Sequence, residues 1–182
     1  MPGPAFRTGE AVALHTVEED DLEFLKRLRN DPEIRHGMTF SRPENETAIE
    51  EWFEEHVSET TGEGAQFLVC PRDAPGDPVG FVSLFDVERP ESHGDIAYFL
   101  DPDERGNGYA TAAVELLVGY AIEEQRLHRV HAVALAGNEA SRRVLERVGF
   151  VEEETRRAEK LVDGEFRDAV SYSILAEEWG DS

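Results

Sequence analysis

Leu100–Ala110 reads Leu-Asp-Pro-Asp-Glu-Arg-Gly-Asn-Gly-Tyr-Ala, and the fold turns on how it is understood. An apolar run, Ile96–Leu100, enters this stretch, and an amphipathic helix pattern leaves it. A strand that passes through a glycine turn into a helix start presents several unpaired backbone N–H groups at one point. The helix dipole adds partial positive charge there, which suits a phosphate or diphosphate. Gly106 and Gly108 permit positive φ and let a ligand approach where a Cβ would otherwise stand. Taken alone, the same turn also reads as ordinary chain punctuation. A dinucleotide fold would need a third small residue at its own offset and an acid about 20 residues further on. Here the offset is wrong, and the strand comes mid-chain.

Outward from this stretch, periodicity assigns the elements. After the loop, Val114, Leu117, Val118, Ala121 and Ile122 recur at i, i+3, i+4, i+7 and i+8, one face of a helix starting near Tyr109. Arg129–Leu135 is a nearly continuous apolar strand interrupted by His131. A helix between it and Gly94–Leu100 allows the two strands to lie parallel. Asn138 or a neighbour starts the next helix, with Val144, Leu145 and Val148 inward, and Gly149 stops it. Val151–Val162 and Phe166–Leu175 flank Asp163-Gly164, a two-residue hairpin turn.

Before the loop, Ala11–Leu14 is a short strand. Asp20 and Asp21 open a helix with Leu22, Leu25 and Leu28 inward, ending near Asn30, and Pro32 limits its extension. Asn45 or a neighbour caps a second helix with an apolar face of Ile49, Trp52, Phe53 and Val57. Thr60–Gly64 is a turn. Ala65–Cys70 and Val79–Phe85 are strands joined by the proline-rich loop Pro71–Pro78, and Glu88–His93 is a polar loop.

The 182 residues fit one domain, 1–182, large enough for a core. No apolar run approaches the roughly 18 residues of a membrane span, and the first ten residues carry no signal-peptide core. The single cysteine, Cys70, sits in an apolar run and is a small buried hydrophobe. The expected location is cytoplasmic, without a membrane partner. Forty acids against 18 bases give a net charge of −22. Such self-repulsion is relieved by salt, which points to a halophilic, salt-adapted protein, the alternative being an acidic surface that attracts a cationic partner. No basic stripe for nucleic acid is evident. No close His/Cys cluster suggests a metal.

Two motifs carry a resemblance. Arg105-x-x-Gly108-x-Ala110 resembles the R/Q-x-x-G-x-G/A diphosphate loop of the GNAT N-acetyltransferase superfamily. Asn138-x-x-Ser141-x-x-x-Leu145-Glu146-x-x-Gly149-Phe150 resembles the signature of the branch that includes ribosomal-protein N-terminal acetyltransferases. Arg29-Asn30-Asp31-Pro32-Glu33 and Glu178-Trp179 extend the likeness. The resemblance implies an α+β fold of α/β/α layers. Its mixed, mostly antiparallel sheet of six to seven strands has a central splayed parallel pair and about four helices. It also implies acetyl-CoA as acyl donor, with no metal.

In that reading Arg105, Gly106, Asn107, Gly108, Tyr109 and Ala110 hold the diphosphate, with Arg143 beside the phosphates. Backbone groups of Phe99 and Leu100, and the Asn138 amide, hold the pantetheine arm. A backbone N–H near Tyr98 or Phe99 faces the thioester carbonyl. Many relatives place an acid tyrosine where this chain has Leu145, so Ser141 is the expected acid. His93 is the expected base, with Asp95 and His131 as further candidates. Arg35, His36 and Met38 border the acceptor groove. The acceptor is a primary amine, first a peptide or protein N-terminus and second a polyamine, amino acid or aminoglycoside. A non-catalytic acyl-CoA sensor is the rival to an enzyme. Either a monomer or a homodimer is compatible with this reading.

Overall fold

A computed structural model describes residues 1–58 and 63–180. The strands are β1 (Ala5–Thr8), β2 (Val12–Thr16), β3 (Ala65–Pro71), β4 (Gly80–Glu88), β5 (His93–Leu100), β6 (Arg129–Leu135), β7 (Val151–Val162) and β8 (Glu165–Leu175). The helices are α1 (Leu22–Arg29), α2 (Pro32–Met38), α3 (Glu46–Phe53), α4 (Tyr109–Gly119) and α5 (Glu139–Val148). All eight strands form one sheet in the order β1-β2-β3-β4-β5-β6-β8-β7. Among the described residues only β5 and β6 pair in parallel; every other neighbour is antiparallel. No helix among the described residues is long and apolar enough to cross a membrane.

The class is the expected one, with one more strand and one more helix than the sequence suggested. The extra strand, β1, is short and mostly exposed, so its sequence carries no apolar alternation; it exists through pairing with β2. The extra helix, α2, corrects the reading of Pro32 as a limit only. Asn30 does end α1, but Asp31 then caps a new helix, accepting from the N–H groups of Glu33 and Ile34, with Pro32 in its first turn. Strand β5 starts at His93, inside the expected Glu88–His93 loop. The expected turn at Thr60–Gly64 falls largely on residues 59–62, outside the described residues.

Period-2 alternation splits the sheet between two cores. On one face Val82, Leu84, Ile96, Val130 and Ala132 pack against α4 and α5, where Val114, Leu117, Val118 and Leu145 are wholly buried. On the other, Leu68, Cys70, Phe81 and Phe99 pack against Leu25 and Leu28 of α1, Ile34 of α2 and Ile49 of α3. Burial pushes the Cys70 thiol up to about 12, so it stays a neutral packing group. Most of this second layer lies over β2–β5, and α2 reaches past β5 to Asn138 and Asp163. Beyond it, the same face of β6 and β8 carries His131, Val133, Ser171 and Ser173, and Val133 is 49% exposed. Ser171 and Ser173 are themselves buried, so the opening on this face lies over Val133.

Candidate active site

Strands β5 and β6 pair only at His93–Arg129, Gly94–Val130 and Asp95–His131. Past that point β5 stays with β4 as far as Leu100, and β6 stays with β8 as far as Leu135. The two strands therefore splay, and Ile96–Leu100 turns an edge of unpaired backbone groups into the gap. Phe99 and Leu100 lie on this edge, where the resemblance set them for the pantetheine arm.

At the open end stands the glycine loop. Gly106 and Gly108 have φ of +85° and +78°, and a Cβ at either would meet nothing within 4 Å. That open space leaves the backbone N–H groups of the turn accessible to a diphosphate. Helix α4 begins at Gly108 with no side-chain cap and no acid in its first turn. Helices α2, α3 and α5, by contrast, are each capped by a side chain and each carries a first-turn glutamate. In a chain of net charge −22, an acid-free, uncapped first turn is fitted to an anion. Tyr109 and Ala110 supply N–H groups there, while the Asn107 amide bonds back to Glu104 O at 3.2 Å. The loop thus fits the diphosphate of acetyl-CoA, which would bring the thioester to the gap.

The two arginines expected at the phosphates are otherwise engaged. Arg105 pairs with Glu33 of α2, and Arg143 with Glu139 of its own helix at 2.7 Å; both pairs are solvent-exposed. Such contacts contribute little, so either guanidinium is free to exchange a carboxylate for a phosphate. Arg142 is held by the Tyr172 hydroxyl (2.9 Å), Ala136 O and Glu152.

At the first turn of α5, Asn138 is the N-cap: its Oδ1 accepts from Ser141 N at 3.2 Å. Its Nδ2 faces Gly37 of α2, where an added Cβ would approach to 3.3 Å. Ser141 meets a residue the sequence reading had considered only for its backbone. The Tyr98 hydroxyl lies 2.8 Å from Ser141 Oγ and 3.0 Å from Ser141 O. Tyr98 thus reaches from β5 to the α5 terminus, bridging the splayed gap on its α4/α5 side. Burial pushes its phenol up to about 12. Leu145, at the expected tyrosine position, is wholly buried in the core and cannot serve the gap.

At the closed end His93, Asp95, Arg129 and His131 share the uncovered sheet face. The rings of His93 and His131 meet edge-on at 5.8 Å. Glu88 lies 3.7 Å from His93, and Glu153 pairs with Arg129. Burial raises the Asp95 carboxyl above its ordinary range, although His131 and His93 oppose the shift. Burial first, then Arg129, lowers His131, holding it neutral more readily than a free histidine. Nearby, the Ser171 Oγ is buried without a hydrogen-bond partner among the described residues.

Helix α2 lies beside the gap, with Gly37 facing the α5 cap. Of the groove residues expected there, His36 pairs with Asp163 at the β7–β8 turn, 2.9 Å away. Arg35 Nε donates to Phe40 O at 3.4 Å, and Met38 packs on the second core. Arg29 and Asn30 are structural. Arg29 forks onto Glu44 and lies over the rings of Phe40 and Trp52, while Asn30 bonds Lys26 O and both backbone groups of Glu44.

Comparison with known proteins agrees with this geometry. Residues 12–151 match the acetyltransferase (GNAT) domain model. The chain belongs to the GNAT acetyltransferase family. It is 33% identical over 181 residues to the putative ribosomal N-acetyltransferase YdaF of Bacillus subtilis, covering 95% of this chain and 96% of that protein. It superposes on RimJ of Mycobacterium smegmatis, solved with CoA-disulfide, at a TM-score of 0.80 and 27% identity, covering 94% and 85% of the two chains. The fold also matches a spermidine N-acetyltransferase from Vibrio cholerae, solved with CoA and spermine, at a TM-score of 0.83 and 22% identity, covering 92% and 96%. The GNAT protein described here is thus an acyl-CoA-dependent N-acetyltransferase.

Proposed function

We propose that this GNAT enzyme acetylates the amino terminus of a peptide or protein, by direct transfer from acetyl-CoA in a ternary complex. The exposed end of β6 carries this reading. Half-exposed Val133, two residues along the same face of β6 from His131, offers an apolar floor edged by a polar ring, suited to an extended backbone. The similarity to a putative ribosomal N-acetyltransferase over nearly the whole chain favours the same class.

Each step is assigned to residues of this chain. The glycine loop and the first turn of α4 bind the diphosphate, with Arg105 and Arg143 turning from their carboxylates to the phosphates. The Ile96–Leu100 edge aligns the pantetheine arm by strand-like hydrogen bonds, and a backbone N–H near Tyr98 or Phe99 polarises the thioester carbonyl. The cluster of His93, Asp95 and His131 takes the proton from the incoming ammonium, since only the neutral amine attacks. Ser141 donates a proton to the departing sulfur. Within the same proposal the enzyme works in the cytoplasm at high internal salt, where its surface charge is screened.

Initial rates of CoA release in molar KCl test the reading, with short peptides of varied first residue, spermidine and free amino acids as acceptors. Turnover is expected on a subset of peptides. Polyamines outcompeting every peptide would replace the acceptor class. Binding of acetyl-CoA with no release on any amine would make the chain a sensor.

A further inference from the structure

We propose that Tyr98 is a positioning residue that switches the Ser141 hydroxyl between a resting and a proton-donating orientation. This rests on the reading of Ser141 as the acid. The phenol has one proton and two acceptors within reach, Ser141 O at 3.0 Å and Ser141 Oγ at 2.8 Å. When the phenol donates to the carbonyl, its contact with Oγ is a hydrogen bond only if Ser141 donates to it. The serine proton then points at Tyr98 and away from the cleft. Rotation of the phenol proton to Oγ reverses the sense, and the serine proton is free to aim at the departing sulfur.

Developing negative charge on that sulfur favours the second arrangement, because Oγ gains a donor as it gives up its own proton. As Ser141 passes its proton to the sulfur the phenol passes its own to Oγ, a serine alkoxide being more basic than the phenolate, and the phenolate, disfavoured by burial, regains a proton from solvent. The serine cannot drift from the contact, since Asn138 Oδ1 holds its N–H at 3.2 Å. The phenol comes from the half of β5 that has left β6, so it couples one wall of the gap to the helix on the other. Ser141 and Tyr98 are 43 residues apart, and no local packing rule requires a hydroxyl at position 98.

A double-mutant cycle tests the coupling: parent, Ser141→Ala, Tyr98→Phe and the double variant, each measured for kcat, acetyl-CoA KM and thermal midpoint. Tyr98→Phe is expected to lower kcat roughly three- to thirtyfold, part of what a positioned acid supplies, with KM for acetyl-CoA unchanged. In the Ser141→Ala background the same change should alter kcat less than about twofold, because the hydroxyl it orients is gone. An equal loss in both backgrounds would show that Tyr98 acts on packing alone and overturn the proposal. No loss in Tyr98→Phe alongside a large loss in Ser141→Ala would overturn it too, while leaving Ser141 as the acid. An unaffected Ser141→Ala removes the acid assignment, and with it the role of Tyr98. If Tyr98→Phe melts too low to assay, 3-fluorotyrosine at 98 keeps ring and hydroxyl while lowering the phenol pKa. It should then move kcat only where Ser141 is present; a shift without Ser141 overturns the proposal.

Discussion

Gly108 offers a matched test of the cofactor loop. Its φ of +78° is nearly the same as the +76° of Gly164 at the β7–β8 turn, and at both positions a Cβ meets nothing within 4 Å. Alanine at either site therefore carries the same penalty, the left-handed backbone itself, about 1–2 kcal/mol. For a chain this long each kcal/mol lowers the melting temperature by roughly 2–4 °C, so both variants should melt about 2–8 °C below the parent. They should part company only with ligand. The new Cβ of Gly108→Ala stands in the cradle before the α4 terminus and displaces a charge-assisted hydrogen bond, worth about 1.5–3 kcal/mol. Converted, that is roughly a 10- to 150-fold loss of acetyl-CoA affinity. Gly164→Ala should bind as the parent does. Titration calorimetry alongside thermal melts reads both quantities. Equal affinity in the two variants would remove the loop from the cofactor site, and a Gly108→Ala melt far below Gly164→Ala would make it a structural turn.

Three further outcomes are expected. Ser141→Ala should lower kcat by about 10²–10⁴ while leaving acetyl-CoA binding and the melt near the parent's; a kcat within about threefold means water or the helix terminus serves the sulfur. His131 must be neutral to take a proton, and burial with Arg129 lowers its pKa below the ordinary 6.5, against the pull of Asp95 and Glu153. The kcat/KM profile should therefore hold as pH falls through 6.5 and drop only below it, and a limb unmoved in His131→Asn would exclude this residue. The melting temperature should rise with KCl between about 0.1 and 1 M, as the Debye length falls from ~10 to ~3 Å, and a steady fall would refute salt adaptation.

Elements that declare themselves locally were legible in the sequence. The periods of α4 and α5, the cap at Asn138, the stop at Gly149 and the Asp163-Gly164 turn each depend on neighbours within a few residues. The splay was legible through the resemblance, and the register bears it out. What escaped depends on partners far along the chain. Strand β1 is a strand only because β2 lies beside it, and Pro32 obeys two rules at once, closing off α1 and starting α2. Arg105 finds Glu33 across 72 residues, and Tyr98 finds Ser141 across 43. No periodicity records such meetings. The alternation along β5 put Tyr98 on the same face as Ile96, toward α5, but only the fold brings Ser141 there.

Helix α2 ties together three parts of the chain that are distant in sequence. In seven residues it reaches the cofactor loop through Glu33, the β7–β8 turn through His36 and the α5 cap through Gly37. Its grip on the loop is a surface ion pair, worth no more than about 1 kcal/mol, so withdrawing Arg105 costs the incoming diphosphate at most about fivefold in affinity. Linkage makes that factor reciprocal. An acceptor that favours α2 released from Arg105 strengthens cofactor binding by the same ratio, and one that favours it engaged weakens it. On the proposed reading the helix is a soft tether between the cofactor loop and the other parts it touches. Molar salt weakens the ion pair further, so any such coupling should shrink as KCl is raised.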